Sequence, residues 1–291
     1  MLIVNPFKIH GPALVSFSGG RTSGFMLRRI LDAGIDDDVH VGFSNTGKER
    51  KETLDFVRDV STHWGVGIVW LERDDGSLYE NHDAGDEAPR QRYRVVSYET
   101  ASRSGEPFRS LILDRNYMPN PVVRFCTTEL KIRVMKNWMI DQGYEHWSNA
   151  VGLRADEPGR VANMRAREGK ERWIVTMPLA DAGVTLADVD AFWKRQPFQL
   201  ALEPWEGNCD VCYLKGHKKR ERIIRDRPDL APWWVDAETL IRDSNGRPVP
   251  FRSSGPSYAT LVELAKRPLL FTDDEMSGDD DLGDCVCTGA A

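Results

Sequence analysis

Over the first 180 residues, short apolar runs alternate with stretches whose apolar positions recur every three or four residues. Residues 13–17 predict a short buried strand, and residues 25–33 show helical spacing after a Ser/Gly turn. Residues 39–44 predict a second strand. Residues 49–64 carry Leu54, Phe56, Val57 and Val60 on one helical face, and residues 66–71 predict a third strand. Residues 73–105 are polar and aperiodic, so they are expected to form a long loop or lid. Residues 127–142 set Leu130, Val134, Trp138 and Met139 on one face of a helix, and residues 147–153 and 173–177 predict two more strands. Strands alternating with helices predict an α/β fold, a parallel doubly wound sheet covered on both faces. From Pro178 on, frequent prolines break the chain into shorter elements, expected to form a helical C-terminal region. The expected division is 1–180, 181–272 and an acidic, disordered tail at 273–291.

Composition adds limits. Of 291 residues, 41% are hydrophobic and 29% charged, which excludes collagen-like, membrane-embedded and wholly disordered chains. No run approaches the ~18 apolar residues of a membrane span, and the start lacks a signal-peptide core, so a cytoplasmic protein is expected. The net charge of −6 speaks at first against a nucleic-acid partner. Residues 273–284, however, hold seven acidic residues and no basic ones, and the rest of the chain is near neutral. The stretch from Lys215 to Arg227 has seven Lys/Arg against two acids, so tRNA or DNA remains open as a substrate; a solvated helix face is the plain alternative. Arg90, Arg92 and Arg94 form a smaller basic group. Trp193, Trp205, Trp233 and Trp234 are expected in the core rather than as base-stacking platforms.

The strongest local signal is Ser18-Gly-Gly-Arg-Thr-Ser23 between a strand and a helix. Gly19 and Gly20 let the backbone approach an anion, Ser18, Thr22 and Ser23 add hydroxyl donors, and the helix supplies free N–H groups. A capped glycine turn is the simpler reading. No Walker loop is present. The loop resembles the PP-loop, Ser-Gly-Gly-x-Asp-Ser, of N-type ATP pyrophosphatases, with Thr22 at the usual Asp. Phe43-Ser-Asn-Thr-Gly-Lys-Glu49 resembles the second-strand segment of the phosphoadenylylsulfate (PAPS) reductase family, with Asn45 where Asp is usual. Gly152-Leu-Arg-Ala-Asp-Glu-Pro-Gly-Arg160 resembles that family's arginine segment. Over residues 13–180 the chain therefore resembles the PAPS-reductase-like branch of the adenine-nucleotide α-hydrolase (HUP/PP-loop) superfamily.

That resemblance implies an adenine nucleotide on Ser18, Gly19, Gly20, Arg21, Thr22, Ser23, Asn45, Thr46, Lys48 and Arg160. Lys131 and Arg154 stand near the reacting phosphates, and Asp156 and Glu157 orient the arginines or hold Mg²⁺. Five cysteines, Cys126, Cys209, Cys212, Cys285 and Cys287, make a poor disulfide framework. Cys126 with the Cys209-x-x-Cys212 pair resembles the three-cysteine [4Fe-4S] sites of thiolating PP-loop enzymes; zinc completed by His217 is the lesser alternative, and a redox dithiol a third, though in a Pro-rich setting unlike thioredoxin's. The implied activity is ATP cleavage at the α-phosphate with Mg²⁺ and sulfur transfer from the cluster, with a sulfur-donor protein as an implied partner. The alternatives are a sulfonucleotide reductase using Cys285 or Cys287 as nucleophile, and a non-catalytic nucleotide- or nucleic-acid-binding accessory protein.

Overall fold

The computed structural model describes residues 5–74, 92–166, 169–272 and 275. Six strands form one sheet in the order β4-β3-β2-β1-β5-β6. They are β1 (Ala13–Ser16), β2 (Val39–Asn45), β3 (Val69–Arg73), β4 (Tyr93–Val96), β5 (Trp147–Ala150) and β6 (Trp173–Thr176). β1 is central and fully buried, pairing in parallel with β2 (Ala13 opposite Val39) and with β5 (Ala13 opposite Ser148). β2–β3 and β5–β6 are parallel as well.

Period-two alternation divides the core between the two faces of the sheet. Ala13, Val15, Val41 and Phe43 pack under α1 (Arg21–Ala33) and α2 (Lys51–Trp64) with Met26, Leu27, Ile30, Leu54 and Val57. Leu14, Leu71 and Tyr93 face the other way, against Val134, Met135, Trp138 and Met139 of α5 (Arg133–Asp141). The expected parallel sheet between helices is thus present, with one antiparallel edge.

That edge is β4, which pairs antiparallel with β3 inside the stretch expected to be a loop. It is an edge strand with only Tyr93 turned fully inward and Val95 exposed, so its alternation is faint; Arg94 is held by the buried Glu72 at 2.7 Å. Arg90 lies outside the described residues. The expected helix at 127–142 is also not uniform. α4 (Phe125–Thr127) passes into a π-helical turn, Thr128–Ile132, before α5 begins. Such turns are rare and concentrate at functional sites.

The remaining helices are α3 (Glu106–Arg115), α6 (Pro158–Arg165), α7 (Pro178–Asp181), α8 (Leu186–Trp193), α9 (His217–Asp226), α10 (Ala231–Ala237) and α11 (Tyr258–Ala265). The C-terminal region is largely helical, as expected. Proline sits in the first turn of α3, α6, α7 and α10, where its missing N–H costs nothing. Packing crosses the chain order. Val189 and Trp193 of α8, with Leu200 and Leu202, join the sheet cluster, while α3 and Cys126 join an aromatic cluster built on Tyr213, Trp234, Phe251 and Tyr258. Trp193 and Trp234 are buried there as expected. Among the described residues, no helix is long and apolar enough to cross a membrane.

Candidate functional site

The order in which strands are added reverses between β1 and β5, which lie side by side and parallel. A crevice is expected there, outside the carboxyl ends of the strands. A cavity of about 440 Å³ occupies that place, reached by Ser16 and Ser18 after β1 and by Val151 and Gly152 after β5.

The Ser-Gly-Gly turn forms one wall. Gly19 has φ +75°, which a side chain rarely adopts. The Ser18 and Ser23 hydroxyls lie 2.9 Å apart, and Ser23 Oγ accepts the Ser18 N–H at 3.2 Å. Gly20 caps α1 without a side-chain cap, so the first-turn N–H groups of this 13-residue helix open on the cavity wall. The β5 loop comes close: a Cβ on Gly152 would lie 3.1 Å from Ser23 Cα. Arg154 Nη1 donates to Thr22 Oγ1 at 3.2 Å, tying the arginine segment to the turn, and Glu157 orients both Arg154 and Arg160. Asp156 accepts from Arg154 Nε at 2.8 Å. Arg21 reaches the carbonyls of Leu200 and Leu202 instead of the cavity centre, at 3.0 and 3.3 Å.

The opposite wall comes from the C-terminal region: Leu186, Val189, Leu200 and Leu202 on the apolar side, and Asn208, Cys209, Cys212 and Lys215 on the polar side. The 208–210 segment is fastened to the loop after β2. Asn208 Nδ2 donates to the Ser18 carbonyl at 2.7 Å, the Arg50 N–H to the Asn208 carbonyl at 2.6 Å, and the Asp210 N–H to the Lys48 carbonyl at 2.8 Å. Cys209 also bridges to Glu49. Two buried ion pairs lie beneath, Lys48–Asp210 at 2.8 Å and Lys131–Glu49 at 3.1 Å. Burial pushes the Asp210 carboxyl up, against the pull of Lys48 and the Trp234 indole.

Ser18, Gly20, Arg21, Thr22, Ser23, Lys131, Arg154, Arg160, Cys209 and Cys212 therefore share one cavity. Asn45, Thr46 and Lys48 stand behind it. Asn45 donates to Glu72 and to the Ser102 carbonyl, Thr46 to Glu49, and Lys48 is committed to Asp210. Cys285 and Cys287 lie outside the described residues. Asn208, Asp210 and Glu49 were not singled out from the sequence, although a polar run between a buried strand and a buried helix demands partners. In the basic stretch Arg220 is buried, Arg222 and Arg225 pair within α9 with Asp226 and Glu221, and Arg227, just past the helix, pairs with Glu52 and Asp229.

The metal expectation is corrected. Among the described residues there is no group of three or more His, Cys, Asp and Glu side chains that could hold a metal ion. Cys126 is buried in the aromatic cluster with its sulfur 3.1 Å from the Tyr213 hydroxyl, while Cys209 and Cys212 line the cavity. Adjacent residues Cys212 and Tyr213 thus serve different partners, and the three cysteines do not form a ligand set. The [4Fe-4S] cluster, the zinc alternative and a carboxylate site for Mg²⁺ are all without ligands here. The activity that rested on them, Mg²⁺-assisted ATP cleavage with sulfur transfer from the cluster, is set aside with them.

What the pair does have is a polarised thiol. The hydrogen bond from Cys209 lowers the Cys212 thiol to about 7, with Lys215, the Leu214 amide and Lys131 helping and burial opposing. Cys209 is held well above the ordinary range by that same hydrogen bond, by burial and by Glu49. Thiolate reacts and thiol does not. Alkylation of Cys212 by iodoacetamide, followed by peptide mass spectrometry, should therefore rise with pH around a midpoint near 7. A midpoint at the free-thiol value of about 8.5 would contradict this.

The fold and cleft define a mixed α/β protein with a glycine-turn site at the β1/β5 crevice. No family model matches the chain. Over 222 residues, 75% of its length, it is 30% identical to the uncharacterized nin region protein ORF290 of Escherichia phage lambda, covering 71% of that protein. The chain belongs to the family of that protein. It is also 44% identical over 64 residues to an uncharacterized protein of Methanocaldococcus jannaschii, covering 22% of this chain and 13% of the relative. An uncharacterized 37.8 kDa protein of Escherichia phage 186 is 26% identical over 168 residues, 51% of this chain and 49% of the relative.

Proposed function

We propose that the chain is a nucleotide-binding enzyme of the PAPS-reductase-like branch of the PP-loop superfamily, and that its cleft seats an adenine nucleotide with the phosphates on the Ser-Gly-Gly turn. The observation that carries this reading is convergence. The uncapped first turn of α1, the paired Ser18 and Ser23 hydroxyls, Arg154, Arg160, Lys131 and Lys215 all face one cavity at the crevice where α/β folds bind ligands. Its apolar wall of Leu186, Val189, Leu200 and Leu202 suits a base. Arg154 already bridges to Thr22, so its planar fork is held where a phosphate oxygen would sit.

The test is calorimetric titration of the full chain with adenosine and its mono-, di- and triphosphates. Affinity should rise by tenfold or more on adding phosphate. Arg154→Ala should lose about 10–100-fold, as expected for a charged hydrogen bond of about 1.5–3 kcal/mol. An unchanged affinity in that variant would contradict the assignment.

A further inference from the structure

The cysteine pair is left without a role by nucleotide binding alone. Both cysteines are free, their thiols hydrogen-bond to each other, and both line the cavity. The segment that carries them is rigidly anchored. Asp210, between them, is buried against Lys48 and accepts the Trp234 indole N–H at 2.6 Å, and Cys209 is laddered to Glu49. Lys131 and Lys215 line the same cavity, so a thiolate there has cations within its surroundings. Glu49 adds a second, independent feature. One carboxylate oxygen is engaged by Lys131 and Thr46, and the other, Oε2, is fully buried with no hydrogen-bond partner. A buried carboxylate oxygen left unpaired is costly, and the Glu49 main chain bridges to that of Cys209, whose thiol feels the Glu49 charge.

We propose that Cys209 and Cys212 form a thiol–disulfide exchange site opening on the cleft, whose substrate is a small anionic disulfide. The Cys212 thiolate attacks one sulfur of the substrate disulfide, forming a mixed disulfide and expelling one substrate thiolate. The Cys209 thiol then gives its proton to Glu49 Oε2 and attacks the Cys212 sulfur, expelling the second thiolate. The pair ends as an intramolecular disulfide, oxidised by two electrons. The first substrate thiolate takes up the proton that Cys212 had released to solvent and the second takes the one held by Glu49, so the substrate ends as two thiols and Glu49 returns to a carboxylate. The thiols lie in the wall of a cavity of about 440 Å³, a recess that suits a small molecule better than a folded partner. Arg21, Lys131, Arg154, Arg160 and Lys215 outnumber the acidic Glu157, Asp190, Glu203 and Glu206 in the cavity lining, and that basic excess favours carboxylates on the molecule. Exchange of this kind needs one attacking thiolate and one resolving thiol within reach, and no metal. It does not depend on the nucleotide reading.

The experiment uses the reduced full chain and glutathione disulfide, without nucleotide, with peptide mass mapping to assign every modified cysteine. The wild-type chain should yield the Cys209–Cys212 disulfide and release two thiols per chain. Cys209→Ser should stop at a mixed disulfide on Cys212. Cys212→Ser should form neither product and react at least tenfold more slowly, while Cys126→Ser should behave as wild type. Glu49→Gln should slow the second step relative to the first, so that the mixed disulfide persists. Each variant is checked for an intact thermal transition, and for any that is unfolded the alanine variant replaces the serine. Failure of Cys209→Ser to trap the adduct, or equal reaction of Cys212→Ser, would overturn the proposal. An unchanged second step in Glu49→Gln would remove Glu49 from it. Calorimetric nucleotide binding, measured on the same samples, reports on the cleft reading separately.

Discussion

Replacing Asp210 with alanine is expected to cost about 3–5 kcal/mol of folding stability, the range for removing one partner of a buried ion pair. The Lys48 ammonium would remain buried with only the Trp233 ring, 4.9 Å away, to offset its lost hydration, because its 2.8 Å partner is gone. The Trp234 indole N–H would lose its acceptor as well. Asp210→Asn keeps an acceptor for Trp234 and should cost less. The two variants also separate by pH. Burial raises the folded Asp210 carboxyl above its unfolded value of about 3.9, so folding favours the protonated form. That contribution is complete below the unfolded value and fades as pH rises through the folded one. Relative to Asp210→Asn, wild-type stability should therefore decline with pH across that acid window. Urea denaturation at several pH values measures both effects. A cost below about 1 kcal/mol in Asp210→Ala would mean the pair is solvated.

The second large effect is at Gly19. Gly19→Val should cost about 2–4 kcal/mol and abolish nucleotide binding. The backbone there has φ +75°, and a Cβ would lie 2.7 Å from Thr53 Cγ2 and 3.1 Å from Phe43 Cε2 and Val57 Cγ2. All three neighbours are fully buried, so none can yield. The neighbouring Gly20→Ala is the control. Its backbone is extended and the nearest atom to a Cβ is 3.4 Å away on Asn208, so stability should change by about 0.5 kcal/mol or less. Thermal melts and calorimetry on the two variants check this. Equal costs at the two positions would contradict the local geometry.

Much of the sheet was legible as strand-length segments: 13–16 begins as an apolar run, 39–45 alternates Val39, Val41 and Phe43 with small or polar residues, and 147–150 opens the expected strand at 147–153. β4 was not legible, since an edge strand with one inward residue carries almost no period. The π turn at Thr128–Ile132 left no trace either, because its residues are as helical in composition as their neighbours. In the site, the Ser-Gly-Gly turn and the C-x-x-C pair were visible as local motifs, and the structure brings them to one cavity. What sequence spacing could not give was the direction of each side chain. Cys126 looked like a third ligand on spacing and turns instead to Tyr213. Lys48 looked like a phosphate contact and is consumed by Asp210, 162 positions away. Long-range partners of this kind are set by how the C-terminal region docks on the sheet, which no local pattern encodes.

The central claim is that the cleft at the β1/β5 crevice receives the phosphates of an adenine nucleotide. Titration calorimetry of the intact chain with adenosine against its phosphorylated forms measures it most directly. The expected result is weak or absent binding of adenosine and at least tenfold tighter binding once phosphate is present. Equal binding of adenosine and its phosphates, or binding of none of them, would contradict it.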